Sequence, residues 1–296
     1  MIHNPAVVWL AVVLAIYVAI LVLVARFSVR PIRIPIYISP GGLGAPQEDV
    51  SLTASDGTPL RAWWVPAENS DTVAVFSHGY LMNRCELVPE AFHLWKMGIS
   101  CVMLDLRVHG RSGGKVCTLG VKERLDVRAA VEFARSRIPD AKVVLIGSSM
   151  GSVASAMALA EDPSLADGLV LDSAYARMDR AILGWWRLLG GKPMAAFLWP
   201  TTLLGWPMTR INPFRFDLSK ELPKIGEKPI LFIHGREDQL AMPSEAERNF
   251  AAACGPKRFV WFEGCDHTEG RWQQADRYRE AVLHFLGKRA EGEQAQ

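Results

Sequence analysis

The chain has 296 residues, half of them hydrophobic, which is enough for one large α/β domain or two small ones with a substantial core. Its 33 Lys and Arg balance 31 Asp and Glu without long runs of one sign, so nucleic acid is not expected as a partner. The five cysteines contain no CxxC pair, and their odd number favours free thiols in a reducing compartment over a disulfide framework.

The first predicted element is an apolar helix over residues 6–25, which contain no charged side chain. Twenty helical residues span about 30 Å, the thickness of a bilayer's hydrocarbon core. A signal peptide is disfavoured because the apolar stretch is long, no Lys or Arg precedes it and no small-x-small cleavage site comes after it. Since Arg26, Arg30 and Arg33 come after the helix, the positive-inside rule places the rest of the chain in the cytoplasm, although a long domain can be translocated despite such charges. We therefore predict a single-pass membrane anchor, 1–26.

The next segment, 27–48, is predicted to be a linker. Four prolines and three glycines between Pro31 and Pro46 suit an extended chain rather than a packed element. Isoleucines alternate at 32, 34, 36 and 38, which fits either an interfacial or edge segment or a sticky linker.

From residue 49 onward, strand and helix signals alternate. Strands are predicted at 50–54, 60–65, 73–76, 99–104, 143–146, 169–171, 229–233 and 257–262, and helices at 86–97, 121–137, 152–160, 245–253 and 275–286. Alternation with short connections indicates the α/β class, with a mostly parallel sheet covered by helices on both faces. We assign 49–290 to this domain and 291–296 to a polar tail. Residues 174–222 carry no strand signal and are rich in Trp and Leu, which predicts a cap inserted over the carboxyl edge of the sheet.

A glycine-bracketed serine follows the buried strand at 143–146. In the segment Gly147–Gly151 the order is strand, sharp turn and helix, the context in which GxSxG forms a nucleophile elbow. Glycines on both sides of the serine remove side chains that would clash in so tight a turn. Ser149 is the candidate nucleophile, although an isolated match of this length also occurs in ordinary strand-to-helix turns.

Two later loops supply the partners that a serine nucleophile needs. A base must remove the hydroxyl proton, and a carboxylate must orient that base, in the chain order Ser, acid, His. Asp238 follows the strand at 229–233, and His267 follows the strand that ends at 262. Glu237 and Asp172 compete with Asp238 for the role of the acid, and His267 could instead be an exposed loop histidine.

An oxyanion formed at the attacked carbonyl needs backbone donors that are already in place. We expect one from the N–H of Met150, directly after the nucleophile, and one from the N–H of Tyr80, in the loop after the strand at 73–76. No cofactor and no metal are expected, because the spacing of His78, His109 and His234 lacks a metal-ligand pattern. Each of the three follows a strand and lies beside a glycine, which suits hydrogen bonds to neighbouring loops.

With these motifs in place, the chain resembles the α/β-hydrolase superfamily from about 50 to 286, and specifically its membrane-anchored Bem46-like and peptidase-like groups. The resemblance rests on five ordered motifs: His78-Gly79-Tyr80, Asp105-Leu106-Arg107 with His109-Gly110-Arg111-Ser112, Gly147 to Gly151, His234-Gly235 with Asp238, and Asp266-His267. It implies hydrolysis of an ester, thioester or amide through an acyl-serine intermediate. Ser148 is a departure, since many relatives carry a bulkier residue there, and we expect no mechanistic consequence from it.

The expected substrate carries an apolar acyl group as an ester or thioester, and the bilayer is the expected partner. Trp185, Trp186 and Trp199 of the cap are candidate substrate-binding residues, although cap tryptophans also serve as core, and Trp185-Trp186 beside Arg187 also fits a belt at lipid headgroups. A peptidase for short peptides, acyl transfer to an acceptor other than water, and a non-catalytic binding protein remain alternatives. A serine nucleophile argues against dehalogenase or epoxide-hydrolase chemistry. Neither the oligomeric state nor the leaving group can be deduced from the sequence.

Overall fold

The strand signals of the sequence form one eight-stranded sheet in the computed structural model, which describes residues 5–288. The strands are β1 (Glu48–Thr53), β2 (Pro59–Val65), β3 (Thr72–Ser77), β4 (Ser100–Asp105), β5 (Lys142–Ser148), β6 (Gly168–Asp172), β7 (Ile230–Gly235) and β8 (Lys257–Phe262). Their spatial order is β1-β2-β4-β3-β5-β6-β7-β8. Strand β2 pairs antiparallel with both β1 and β4, and the remaining pairs are parallel.

Nine α-helices are found among the described residues. They are α1 (Pro5–Val29), α2 (Val88–Lys96), α3 (Arg124–Arg137), α4 (Met150–Glu161), α5 (Met178–Leu198), α6 (Thr201–Thr209), α7 (Pro243–Ala252), α8 (Gly270–Gln273) and α9 (Ala275–Leu286). Helices α3 and α4 cover one face of the sheet with a large apolar cluster, and α2 and α9 cover the other face. The predicted α/β class and the parallel sheet between helical layers are confirmed.

Two helices begin later than the sequence pattern predicts. Residues Arg84–Leu87 form a 3₁₀ turn before α2, in which the Asn83 side chain accepts from the Cys85 N–H. Helix α3 begins at Arg124 because the carboxylate of Glu123 accepts hydrogen bonds from the backbone of Thr118 and Gly120. That carboxylate closes a turn where apolar periodicity alone suggests a helix.

Helix α1 is long and apolar enough to cross a membrane, a property that an anchor and a signal sequence share. Residues 1–4 of the predicted anchor and the predicted tail 291–296 lie outside the described residues. The sequence left open whether the isoleucines of the linker pack, and part of the linker does. It is extended, but Ile36 and Ile38 pack against the apolar cluster under α2, and Asn83 donates from its amide to the carbonyl of Ile34. Two of the four alternating isoleucines therefore supply the apolar surface for this packing, whereas Ile32 is exposed.

The segment predicted as a cap holds α5 and α6. Gly190 and Gly191 have non-helical dihedral angles, so α5 consists of two helices joined at a kink. An isolated β-bridge between Arg177 and Asp217 joins the two ends of the segment. Helices α1, α5 and α6 share a separate small apolar cluster built from Leu21, Trp186, Ala195 and Leu198.

Candidate active site

The turn between β5 and α4 holds Ser149 in a backbone conformation that few L-residues adopt, with φ 50° and ψ −112°. A Cβ on Gly147 would lie 2.4 Å from the backbone N of Ser152, and one on Gly151 would lie 2.0 Å from the carbonyl oxygen of Ser77. Only glycine fits at either position. The close packing of strand, turn and helix therefore requires the two glycines that the motif contains.

Three side chains from separate loops meet at this turn. His267 Nε2 lies 2.8 Å from Ser149 Oγ, and His267 Nδ1 lies 2.8 Å from Asp238 Oδ2. The loops come after β5, β7 and β8, whose carboxyl ends share one edge of the sheet, where sites of such sheets form. The structure thus brings together the three residues singled out in the sequence. The hydroxyl can pass its proton to the imidazole and become a nucleophile.

Asp238 is buried and has hydrogen bonds to both of its oxygens. Its Oδ1 accepts from the backbone N–H groups of Leu240 and Ala241 at 2.9 and 2.7 Å, and its Oδ2 faces His267 and, at 3.2 Å, His234 Nε2. Burial by itself would raise the pKa of Asp238, but the charge of His267 and the hydrogen bonds from both histidines lower it to about 2. Asp238 is therefore ionised near neutral pH.

The contact between Asp238 and His267 shifts the pKa of His267 upward. Burial would lower the pKa of His267, but the negative charge of Asp238 and the hydrogen bond to it outweigh burial and raise the pKa above the usual 6.5. Stabilising the imidazolium in this way is what a base needs when it takes a proton from a serine.

The two other candidates for the acid, Glu237 and Asp172, have other surroundings. Glu237 is exposed at the surface. Asp172, at the end of β6, is buried and lies 3.3 Å from the guanidinium of Arg271. Of the three candidates, only Asp238 contacts the histidine through a direct hydrogen bond.

The predicted oxyanion donors flank the serine. Met150 is the first residue of α4, where backbone N–H groups have no partner within the helix. Gly79 uses its N–H to donate to Glu86 Oε2 at 2.6 Å, which leaves the next residue, Tyr80, as the donor available from this loop. Gly79, Tyr80, Ser149, Met150 and His267 line one cavity.

A buried ionic network lies beneath the serine, and no sequence motif indicated it. Arg271 pairs with Glu86 and with Asp172, and its Nη1 donates to Ser148 Oγ at 2.9 Å. Ser148 Oγ in turn donates to Glu86 Oε1 at 2.9 Å. Burial would raise the pKa of Glu86, but the charge of Arg271 and the N–H of Gly79 lower it. Ser148, whose identity was expected to have no consequence, links the nucleophile turn to this network.

The cavity above the serine has a volume of about 520 Å³ and is lined mainly by apolar side chains. Trp185 and Trp186 line it, as predicted for substrate contact. Trp199 is 42% exposed and does not line it. The alternative of a headgroup belt fails for Trp186, which is only 7% exposed because it packs between the cavity and α1.

His78, His109 and His234 form hydrogen bonds or close polar contacts with neighbouring loops. His78 accepts at Nε2 from the backbone N–H of Leu106 at 3.0 Å, and His109 Nδ1 lies 2.8 Å from the carbonyl of Arg107. His234 Nε2 lies 2.6 Å from the carbonyl of Ala241. These contacts shape the loops around the serine, as the sequence suggests.

Comparison with known proteins points to one superfamily. Residues 68–213 match the family model described as serine aminopeptidase, S33. The protein YfhR of Salmonella typhimurium is 25% identical over 298 residues, which cover 96% of this chain and 96% of YfhR. YqkD of Bacillus subtilis is 26% identical over 247 residues, which cover 79% of this chain and 77% of YqkD.

Among solved structures, the esterase Pf2001 of Pyrococcus furiosus superimposes with a TM-score of 0.73 at 26% identity, over 88% of this chain and 97% of the esterase. The acylaminoacyl peptidase of Pyrococcus horikoshii shares the fold, with a TM-score of 0.64 at 14% identity, over 84% of this chain and 43% of the peptidase.

Proposed function

The chain belongs to the α/β-hydrolase superfamily, and from this premise we propose that it is a membrane-anchored serine hydrolase that cleaves an ester or thioester with an apolar acyl group. The observation that carries the proposal is the hydrogen-bonded series Ser149, His267, Asp238 at one wall of an apolar cavity. Similarity to an esterase over most of both chains supports it.

The first half of the proposed reaction forms an acyl-enzyme. His267 Nε2 takes the proton of Ser149 as Oγ attacks the carbonyl carbon, and Asp238 stabilises the imidazolium that results. The carbonyl oxygen becomes an oxyanion held by the N–H groups of Met150 and Tyr80. When the intermediate collapses, the bond to the leaving group breaks, and the imidazolium returns the proton to that group.

The second half releases the acyl group. His267 takes a proton from water, the resulting hydroxide attacks the acyl carbon, and the bond to Ser149 Oγ breaks as the proton returns to the serine. The products are a carboxylic acid and the free enzyme. Transfer to an acceptor other than water would use the same residues, and product analysis distinguishes the two.

The cavity's composition favours an acyl chain. Its apolar lining includes Leu119, Ile182, Trp185 and Leu240, and its volume of about 520 Å³ lies within the range of small-molecule pockets. The membrane helix adds to this argument, because a tethered enzyme meets lipid esters and acylated proteins at the surface to which it is attached.

A peptidase is the second candidate, and the name of the matching family model favours it. An aminopeptidase must bind a free amino group, for which an unpaired carboxylate is the natural partner. Among the described residues that line the cavity, Glu86 is the only one with a carboxylate, and Arg271, Ser148 and Gly79 already occupy it. An amine would have to displace a buried ion pair, so we rank the ester first.

The test uses the full chain in detergent or nanodiscs, with Ser149→Ala as the matched control. A fluorophosphonate probe should label the wild type and not the variant. p-Nitrophenyl esters of increasing chain length, thioesters and peptide amides then rank the substrate classes. Activity on amides without activity on esters would replace our substrate with a peptide, and an accessible, folded protein that resists the probe would favour a binding protein on a hydrolase fold.

A further inference from the structure

The cap contacts α1, and this contact bears on where the cap lies relative to the membrane. We propose that α5 and α6 insert into the leaflet beside α1, so that the acyl chain of a lipid substrate enters the cavity from the hydrocarbon phase. The inference rests on the proposed role of α1 as a membrane anchor. Beyond that role, it specifies the position of the cap in the membrane and the route by which the substrate reaches the cavity.

The depth of the cap is set by one contact. The hydroxyl of Tyr17 donates to the carbonyl of Phe197 at 2.8 Å, and the two ring centroids are 4.9 Å apart. Tyr17 precedes Ala25, the last residue of the apolar stretch, by eight positions, or about 12 Å along a helix. Half of the hydrocarbon core is about 15 Å. If α1 spans the bilayer, then Phe197 lies well inside the leaflet.

The contact is part of a packed cluster. Leu21 is 5% exposed and packs with Trp186, Ala195 and Leu198 of the cap. Pulling the cap out of the leaflet would expose this cluster, so insertion of α1 brings α5 and α6 with it.

The outer face of the cap fits hydrocarbon better than water. Eight large apolar side chains on α5, α6 and their connection are 37% to 59% exposed: Leu188, Leu189, Met194, Phe197, Trp199, Leu203, Trp206 and Met208. A soluble surface rarely leaves so many together. This face is continuous with α1, whose own apolar side chains are exposed along most of its length.

The charges of the segment suit an anionic membrane. Residues 181–216 contain Arg187, Lys192, Arg210 and Arg215 and no Asp or Glu. Long cationic side chains can extend to the headgroups while their stems stay in apolar surroundings. Attraction to anionic lipids would then hold the cap at the leaflet.

The large cavity extends to the place where α1 contacts the cap. Ser28, near the end of α1, lines the large cavity and also a smaller apolar cavity of about 70 Å³ that Ala25, Gly205 and Trp206 border. The hydroxyl of Tyr80 donates to the carbonyl of Ser28 at 2.9 Å, which ties the oxyanion loop to α1. A path from the leaflet to Ser149 therefore runs along α1.

Spin labels on the full chain test the insertion in vesicles of phosphatidylcholine and phosphatidylglycerol. Cysteines replace Leu189 and Leu203 on the cap, Leu10 in α1, and Asp140 at the opposite edge of the sheet, in a Cys254→Ser background that removes the one exposed thiol among the described cysteines. Collisions with oxygen, which concentrates in hydrocarbon, are compared with collisions with a water-soluble nickel chelate. We expect a several-fold excess of oxygen collisions at positions 10, 189 and 203, and the reverse at 140.

The label at position 10 distinguishes failure of cap insertion from failure of α1 to span the membrane. A label at 10 that is protected, with labels at 189 and 203 open to nickel, would place the cap in water and overturn this inference while α1 remains an anchor. A label at 10 that is open to nickel would remove the anchor and this inference together, and the probe test on Ser149 would still decide whether the protein is a hydrolase.

A second arm measures the route of the substrate. Leu189→Glu with Leu203→Glu places two carboxylates on the outer face of the cap, away from both cavities. Hydrolysis of an ester embedded in vesicles should fall by about tenfold or more because a carboxylate is costly in hydrocarbon, while a short soluble ester is cleaved as before. Leu43→Glu, at an exposed leucine before the edge strand β1, is the matched control. An equal effect of the cap variant on both substrates would contradict entry from the leaflet.

Discussion

At the carboxyl edge of the sheet, Ser149, His267 and Asp238 are joined by hydrogen bonds of 2.8 Å, whereas α1, α5 and α6 meet mainly through apolar side chains such as Leu21 and Leu198. Hydrogen bonds are directional and hold atoms where a reaction needs them. Apolar contacts are non-directional and depend on the area removed from water. We therefore expect changes at the first region to slow every substrate, and changes at the second to distinguish one substrate from another.

The largest effect should come from the acid. Asp238→Asn keeps the shape of the side chain but removes its charge, and we expect kcat on any ester to fall by about 10⁴-fold. Asp172→Asn is the matched control, since Asp172 contacts Arg271 and not His267. Steady-state kinetics on a short soluble ester measure both. A larger loss in the control would reassign the acid to β6.

The network beneath the serine should matter for stability. Arg271→Leu leaves Glu86 buried without its cation, and we expect the free energy of unfolding to fall by about 3 to 5 kcal/mol. Glu86→Gln keeps one oxygen that accepts from the Gly79 N–H, and its amide N–H can donate to the Ser148 hydroxyl, so it should cost less, about 1 to 3 kcal/mol. Chemical denaturation measures both. Variants of equal stability to the wild type would show that the network does not support the nucleophile turn.

A pH profile tests the relay between Asp238 and His267. The imidazole accepts a proton only when it is neutral. Burial would lower the pKa of His267, but the charge of Asp238 outweighs burial and raises that pKa. The value of kcat/KM should therefore rise about tenfold per pH unit on the acid side and level off above the raised pKa of His267, beyond 6.5. Asp238→Asn should move the residual activity's inflection to lower pH. A profile that is flat through this range would exclude His267 as the base.

The smallest effect should separate substrates by length. Ser28→Phe narrows the passage where the large cavity meets the smaller one, and we expect kcat/KM for long-chain esters to fall about tenfold while short esters are unaffected. Ser28→Ala leaves the passage open and serves as the control. If the long and short esters lose activity in parallel, then the acyl chain does not pass along α1.

Much of the fold could be predicted because its signals are local. The β-branched run before Gly147, the two glycines around Ser149 and the helix-forming residues after them each act on their near neighbours. The order of Ser149, Asp238 and His267 at strand ends then brings them to one edge, since parallel strands end together. Helix starts were harder, because the carboxylate of Glu123 closes a turn that periodicity does not reveal.

The features that the sequence does not reveal depend on contacts between distant parts of the chain. Glu86 and Arg271 are 185 positions apart, and each by itself resembles a surface charge. Tyr17 and Phe197 are 180 positions apart, so the sequence does not reveal that α1 contacts the segment predicted as a cap. Trp199 was a candidate for substrate binding because it belongs to the Trp-rich cap. The chain turns after α5 and leaves Trp199 at the surface instead.

The sequence by itself determined the turn around Ser149 and the alternation of strands and helices, because each depends on sterics and periodicity within a few residues, and it singled out the candidate reacting groups by their places after strands. Only the tertiary structure decided which buried charges pair beneath Ser149 and which face of the cap lies against α1. Ion pairing in a low-dielectric interior and apolar burial both depend on which groups come together in space, and a sequence pattern of short range does not specify that.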